Sequence, residues 1–204
     1  MDALILAIDQ MLRTVTGAHS AQRPSPAVSP DQVSVGGDRR HAAALMRVNH
    51  SGEICAQALY QAQSMFSESA KTREALQHSA KEERDHLRWT ADRVAELGGR
   101  RSVFDPLWYM GAFSIGAIAA KLGDAENLGF LKETERQVVQ HLARHLEVLP
   151  SSDGRSREVL RQMCADEAAH AELAGDLGGV DLPPPIVGLM RISAKVMTTI
   201  AYRL

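Results

Sequence analysis

The chain has 204 residues, enough for one domain with a sizeable core and too few for two of ordinary size. Hydrophobic residues make up 45% and charged residues 24%, which excludes a wholly disordered chain, a collagen-like repeat and a polytopic membrane protein. Lys and Arg number 23 against 25 Asp and Glu, a formal charge of -2, so no basic excess is available to hold a nucleic acid backbone.

In chain order, Met1 to Val15 places Leu4, Ile5, Ile8, Met11, Leu12 and Val15 at helical spacing, with Asp2 but no basic start or small-residue cleavage site. This predicts a short amphipathic helix and not a signal peptide. From Thr16 to Gly37, Ser, Pro, Gly and Gln dominate, and Pro24, Pro26 and Pro30 exclude regular helix, so a surface linker is expected. Residues 1–38 thus form an appendage of helix and linker.

Four proline-free stretches rich in Ala, Leu, Glu, Gln and Arg follow: 39–67, 70–97, 123–149 and 154–177. Gly98-Gly99, Pro150 to Gly154 and Gly178-Gly179 separate or end them. Helices of ~25 residues are roughly 37 Å long, the scale of a four-helix bundle. Only 4% of residues are aromatic, so Leu, Val, Ile, Ala and Met must fill the core. Within the bundle domain, 39–182, the segment 103–122 contains the charge-free run Leu107 to Ala120, too short to span a bilayer and expected to form a buried hairpin or an interfacial segment. After Pro183-Pro184-Pro185, residues 183–204 place Ile186, Leu189, Met190, Ser193, Val196, Met197, Ile200 and Leu204 on one stripe, with Arg191, Lys195 and Arg203 elsewhere, the pattern of an amphipathic membrane-associating helix. Cys55 and Cys164, far apart and outside any CxxC pair, read as buried free thiols.

The chemistry concentrates in two Glu-x-x-His motifs, Glu83 to His86 and Glu167 to His170, each on a predicted helix, where positions i and i+3 share a face. One such motif occurs readily by chance on a solvated helix. Two, on alternate helices of a set of four, match a carboxylate-bridged dinuclear site if each remaining helix adds one inward Glu. Glu53 qualifies, because it sits on the stripe of Leu45, Met46, Asn49, Ala56 and Tyr60. On the third helix Glu135 fills the gap between Leu131 and Val139, whereas Glu133 falls off the stripe and stands in reserve. Thirty residues separate Glu53 from Glu83 and thirty-two separate Glu135 from Glu167, so the halves form a pseudo-repeat. Four carboxylates with two neutral imidazoles balance two divalent cations in an apolar core, and oxygen-rich ligation suits iron or manganese over zinc or copper; iron is the choice. Glu82 and Asp166, each just before a Glu of the motifs, are candidates to hold a ligand imidazole from behind. The other histidines, His19, His41, His50, His78, His141 and His145, default to the surface or to such supporting roles.

Arg47-Val48-Asn49-His50-Ser51-Gly52-Glu53 resembles the opening motif RV(D/N)H(A/S)GE of the demethoxyubiquinone hydroxylase family of ubiquinone biosynthesis. The resemblance continues through Glu83 to Leu87, the Glu133-Thr134-Glu135 region with His141, Asp166 to His170 and the apolar tail, covering most of residues 40–204. It implies a ferritin-like four-helix bundle and an all-α fold. It also implies metal ligation by Glu53, Glu83, His86, Glu135, Glu167 and His170, with Glu83 and Glu167 as bridges and no catalytic residue beyond these ligands. The activity implied is that of a di-iron monooxygenase, two iron ions per chain cycling between Fe2+ and Fe3+, hydroxylating with O2 the ring of a polyprenylated demethoxy-benzoquinol. The expected partners are that lipid-soluble quinol, O2, a membrane surface at the cytoplasmic face of the cell (inner) membrane, and other quinone-biosynthesis proteins or a second copy of the chain. An iron-storage or peroxide-scavenging protein with the same ligands is the alternative, distinguished by hundreds of irons per assembly.

Overall fold

A computed structural model describes residues 2–18, 20–33 and 36–204, with side chains from Ile5 onward; the stripe position expected for Leu4 and the role expected for His19 lie outside the described residues. Among the described residues the fold is all-α: α1 (Asp2–Thr16), α2 (Gly37–Phe66), α3 (Ala70–Glu96), α4 (Asp105–Lys121), α5 (Asp124–Val148), α6 (Gly154–Asp176) and α7 (Pro184–Arg203). The four long helices lie within two residues of the expected boundaries. Their starts follow from local chemistry, since the Ser69 hydroxyl accepts from Thr72 N at 3.2 Å and the Asp153 carboxylate from Ser156 N at 2.9 Å. α3 and α6 end alike: Gly98 and Gly178 take φ of 73° and 100°, and Gly99 N and Gly179 N return to the carbonyls of Val94 and Ala174. The pseudo-repeat seen in the Glu and His spacing therefore extends to how the helices stop.

α2 packs along α3 and α5 along α6, while α3 against α6 joins the two hairpins. Two apolar clusters fill the interior of the four-helix bundle, and a third, with Ile54, Ala58, Leu59, Leu87, Tyr109 and Ala112, seats α4 on it. Of the first two, one gathers Leu45, Met46, Trp89, Val94, Leu142, Leu160 and Met163; the other gathers Ala56, Tyr60, Leu76, Ala80, Leu128, Leu131 and Ala174. On every long helix the Glu and His positions singled out above fall between these clusters. Each fully buried aliphatic side chain contributes about 1.5–3 kcal/mol, so the plugs hold the bundle together while its middle carries charge.

Three expectations change. Of the two readings of segment 103–122, the buried hairpin is overturned and the interfacial segment is not: it forms a helix, α4, packed on α2 with Leu107, Met110 and Ile118 exposed, and, apolar on all sides, it had no period to give direction. Gly116 permits the close approach, because a Cβ there would lie 3.0 Å from Leu59 O and 3.1 Å from Ala62 Cβ. The stripe expected on α7 is divided: Met190, Met197 and Ile200 are half-buried, beside the buried Ala201, whereas Ile186, Leu189 and Val196 are exposed, as is the neighbouring Ile192. The expected surface linker is instead a fastened strap. Val33 is buried in the first cluster with Ala27 against it, and Ser29, Val28 and Asp31 bond to Glu158 and Arg93. The compact part therefore begins before residue 39.

Candidate metal centre

Glu53 from α2, Glu83 and His86 from α3, and Glu167 from α6 each offer one donor atom, all within 4.8 Å of one another and all buried. His86 Nδ1 lies 3.4 Å from Glu83 Oε2, 3.1 Å from Glu167 Oε1 and 3.9 Å from Glu53 Oε2. His170 Nδ1 lies 3.2 Å from Glu83 Oε1 and 3.1 Å from Glu167 Oε2. Glu83 and Glu167 thus each turn one oxygen toward either histidine, which is the arrangement two carboxylates need to span a pair of cations. Glu135 from α5 is 1% exposed and takes a 2.9 Å hydrogen bond from Tyr60 OH at Oε1.

The donor set fits a metal pair. Glu53 Oε2, both Glu83 oxygens and His86 Nδ1 are buried without a hydrogen-bond partner, a costly arrangement that cations would satisfy. Without metal, protons do that work. Burial, reinforced by Glu83 and Glu167, pushes Glu53 well above the usual carboxylate range, and burial with Glu167 and Glu83 does the same to Glu135. Burial opposes charge on the histidines, yet the Glu167 hydrogen bond and the charges of Glu83 and Glu167 outweigh it and raise His170 to about 12; His86 is raised as well. Burial also opposes ionisation of Glu83, but His86 and His170 hold it well below the ordinary value. Two divalent ions would displace these protons.

The outward ring nitrogens are held crosswise. His86 Nε2 donates to Asp166 Oδ2 at 2.8 Å and His170 Nε2 to Glu82 Oε2 at 2.9 Å, so each carboxylate supports the histidine of the opposite motif. Both acceptors fix the Nε2–H tautomer and leave Nδ1 facing the cluster. Thr90 donates to His86 O at 2.8 Å and accepts from His50 Nδ1 at 3.1 Å, steadying the last turn beneath His86.

Glu133 stands away from the cluster, half-buried and bonded to Gln137 at 2.7 Å. Of the two defaults for the remaining histidines, the surface one fits His78 and the supporting one fits the buried His50, which bonds Thr90; His145 is buried too, and its Nδ1 bonds Asn49 Oδ1 at 2.8 Å. Cys55 and Cys164 are free thiols but only half-buried. Sequence reasoning took Tyr60 only as a stripe neighbour and did not find Arg23 or Asp85, whose contacts are described below.

A buried cluster of Glu53, Glu83, His86 and Glu167 that could hold a metal ion, set between apolar clusters of four long helices, defines a ferritin-like bundle. Residues 40–201 match the family described as ubiquinone biosynthesis protein COQ7, and the chain belongs to that family. Among curated relatives, the 3-demethoxyubiquinol 3-hydroxylases of Herbaspirillum seropedicae and Azoarcus sp. (strain BH72) are 51% and 53% identical to it, over 205 and 203 residues. These alignments cover 100% and 99% of this chain and 99% and 98% of the relatives. The 3-demethoxyubiquinol 3-hydroxylase of Cupriavidus necator is 51% identical over 207 residues, with both chains covered in full.

Proposed function

We propose that the chain is a di-iron monooxygenase that uses O2 to hydroxylate the ring of a polyprenylated demethoxy-benzoquinol in ubiquinone biosynthesis. The observation that carries this reading is the placement of Glu83 and Glu167, each with one oxygen toward His86 and the other toward His170. Its support in kinship is the full-length similarity to enzymes named as hydroxylases of this quinol.

Glu53, Glu83, His86, Glu135, Glu167 and His170 would hold two irons per chain. Bound iron would supply one-electron redox chemistry toward O2 by cycling between its ferrous and ferric states, with the net electrons coming from a donor outside the chain. The chain does the rest. Glu83 and Glu167 fix the spacing of the two positions, while Asp166 and Glu82 keep Nδ1 of both histidines turned inward. The apolar clusters above and below exclude water from the ring as it reacts.

The substrate lies in lipid, and the protein reaches it as a peripheral protein at the cytoplasmic face of the cell membrane. Supporting this, no helix among the described residues is long and apolar enough to cross a membrane, while α1, α4 and α7 leave apolar side chains exposed: Ile5, Leu6, Ile8 and Leu12; Leu107, Met110 and Ile118; Leu189, Ile192 and Val196. Arg191, Lys195 and Arg203 are exposed on α7, and an anionic leaflet attracts each by ~1 kcal/mol. The test is aerobic incubation of the iron-loaded, reduced protein with a demethoxyquinol, followed by mass analysis. Gain of one oxygen atom by the ring, derived from O2, supports the reading; an unchanged quinol with iron bound overturns it.

A further inference from the structure

Although α3 and α6 present matching motifs, the two histidines are not supported alike. The difference comes from the strap ahead of α2, outside the matched residues 40–201. Arg23 donates to Asp85 Oδ2 through Nε at 2.7 Å and to Asp166 Oδ2 through a terminal nitrogen at 2.9 Å; that nitrogen also lies 3.5 Å from His86 Nε2. Its guanidinium stacks 4.8 Å from the centre of the Trp89 ring, and Gln22 N adds a 2.6 Å bond to Asp85 Oδ1. Asp166 is thereby held from three sides, by His86 Nε2, Arg23 and, through Oδ1 at 2.9 Å, Gln162. On the other half, Glu82 holds His170 with a side chain 38% exposed and with no arginine among its ion pairs in the described residues.

We propose that Arg23 is a positioning residue for the His86 half of the metal centre: the strap inserts one fixed cation behind Asp166, locks that carboxylate onto His86 and makes the two metal positions electrically inequivalent. This rests on reading the cluster as a di-iron centre. Arg23 acts on the centre from behind, through its 2.9 Å ion pair with Asp166 and a terminal nitrogen 3.5 Å from His86 Nε2. A guanidinium can do this where a lysine does so less well, because its planar fork serves Asp85 and Asp166 together while its face lies on Trp89. A positive charge this close to a centre that gains and loses electrons favours the reduced state. Affinity for the ferrous ion responds in opposing senses to loss of Arg23, since repulsion is relieved while His86 is loosened. The reduction potential responds in one sense: it falls.

The experiment compares the iron-loaded full chain with Arg23→Gln, Arg23→Lys and Glu158→Gln, measuring irons per chain and midpoint potential for each. Glu158→Gln loosens the same strap at Ser29 and Val28 and leaves Arg23 in place. Arg23→Gln should keep two irons and show a lower potential; Arg23→Lys should recover most of the shift, and Glu158→Gln should match wild type. A wild-type potential in Arg23→Gln overturns the proposal, as does an equal fall in Glu158→Gln, which would reduce Arg23 to a fastening of the strap. If Arg23→Gln does not accumulate folded, Arg23→Met, which keeps an unbranched chain over Trp89, carries the same comparison. Absence of iron from the wild-type chain would instead strike the di-iron reading itself.

Discussion

Tyr60 donates a 2.9 Å hydrogen bond to Glu135, and the residue at the same offset from Glu135 that Tyr60 has from Glu53 is Leu142. The pseudo-repeat is therefore broken at one pair of positions, and Glu135 alone of the four glutamates takes a phenol. Tyr60→Phe leaves Glu135 Oε1 without its donor in a dry interior, at a cost of about 1–3 kcal/mol. Denaturant unfolding should show that loss in the metal-free protein and a smaller one when Fe(II) is bound, since the cation then satisfies the carboxylate. The same loss with and without metal would detach Tyr60 from the centre.

On α5, two glutamates two residues apart have different surroundings: Glu135 is buried, and Glu133 is half-buried and accepts from Gln137 one turn on. Glu135→Ala should abolish turnover, and Glu133→Ala should leave it within a few-fold of wild type. Steady-state rates with a demethoxyquinol decide the matter, and the reverse ranking would shift the ligand by two residues.

The placement of Glu53 and Glu135 was legible because a charged residue on an apolar stripe is conspicuous, and the Glu-x-x-His repeat gave the remaining candidates. Arg23 was not legible. Its partners Asp85 and Asp166 lie far along the chain, and its Pro- and Ser-rich surroundings have the composition of a linker. α4 escaped for a different reason, because a helix apolar on every face carries no period to read. On α7 the single expected stripe merged two faces, one against the bundle and one exposed, which only the packing partner separates.

That division changes how the membrane claim is tested. Arg47 donates to the carbonyls of Ala201 and Tyr202 at 2.6 Å each, so deleting residues 183–204 would strip a buried guanidinium of its two short bonds, leaving the 3.5 Å one to Arg100 O, and confuse lipid release with unfolding. Replacing the exposed Leu189, Ile192 and Val196 by Ser leaves those bonds intact. The triple variant should float free of anionic liposomes and oxygenate a long-chain quinol far more slowly than a short-chain analogue, with iron retained. Equal slowing on both substrates would assign α7 to the bundle alone.

Asp105 gives stability a pH dependence. Burial raises it from 3.8 to about 6, against the Ser51 hydroxyl at 2.7 Å and the charges of Arg101 and Arg47; His50 Nε2 stands 3.9 Å away. A folded-state value above the unfolded one means that its contribution is complete below pH ~4 and is lost as pH rises through about 6. Asp105→Asn keeps an acceptor for Ser51 and cannot ionise. It should match wild type near pH 4 and exceed it at pH 7.5 by at most about 3 kcal/mol, read as a widening gap in melting temperature. A constant gap across that range would contradict the assignment.

Arg93, 1% exposed, is held by Asp153 and Glu96 at 2.8 Å and by Ser156 at 2.9 Å, and Asp153 also caps α6. Removing one partner of a buried pair costs about 3–5 kcal/mol. Asp153→Ala should fall near the lower end, because Glu96 and Asp31 remain, and urea unfolding measures it. A change below 1 kcal/mol would show that Arg93 relaxes to water.

The central claim is that Glu83 and Glu167 are shared between two metal positions. Anaerobic Fe(II) titration of the wild-type chain beside Glu83→Ala and Glu167→Ala tests it most directly, with helical content followed by circular dichroism. The account predicts two irons per chain in wild type and loss of both, not one, in each variant, with the helices retained. Wild-type occupancy in either variant would contradict it.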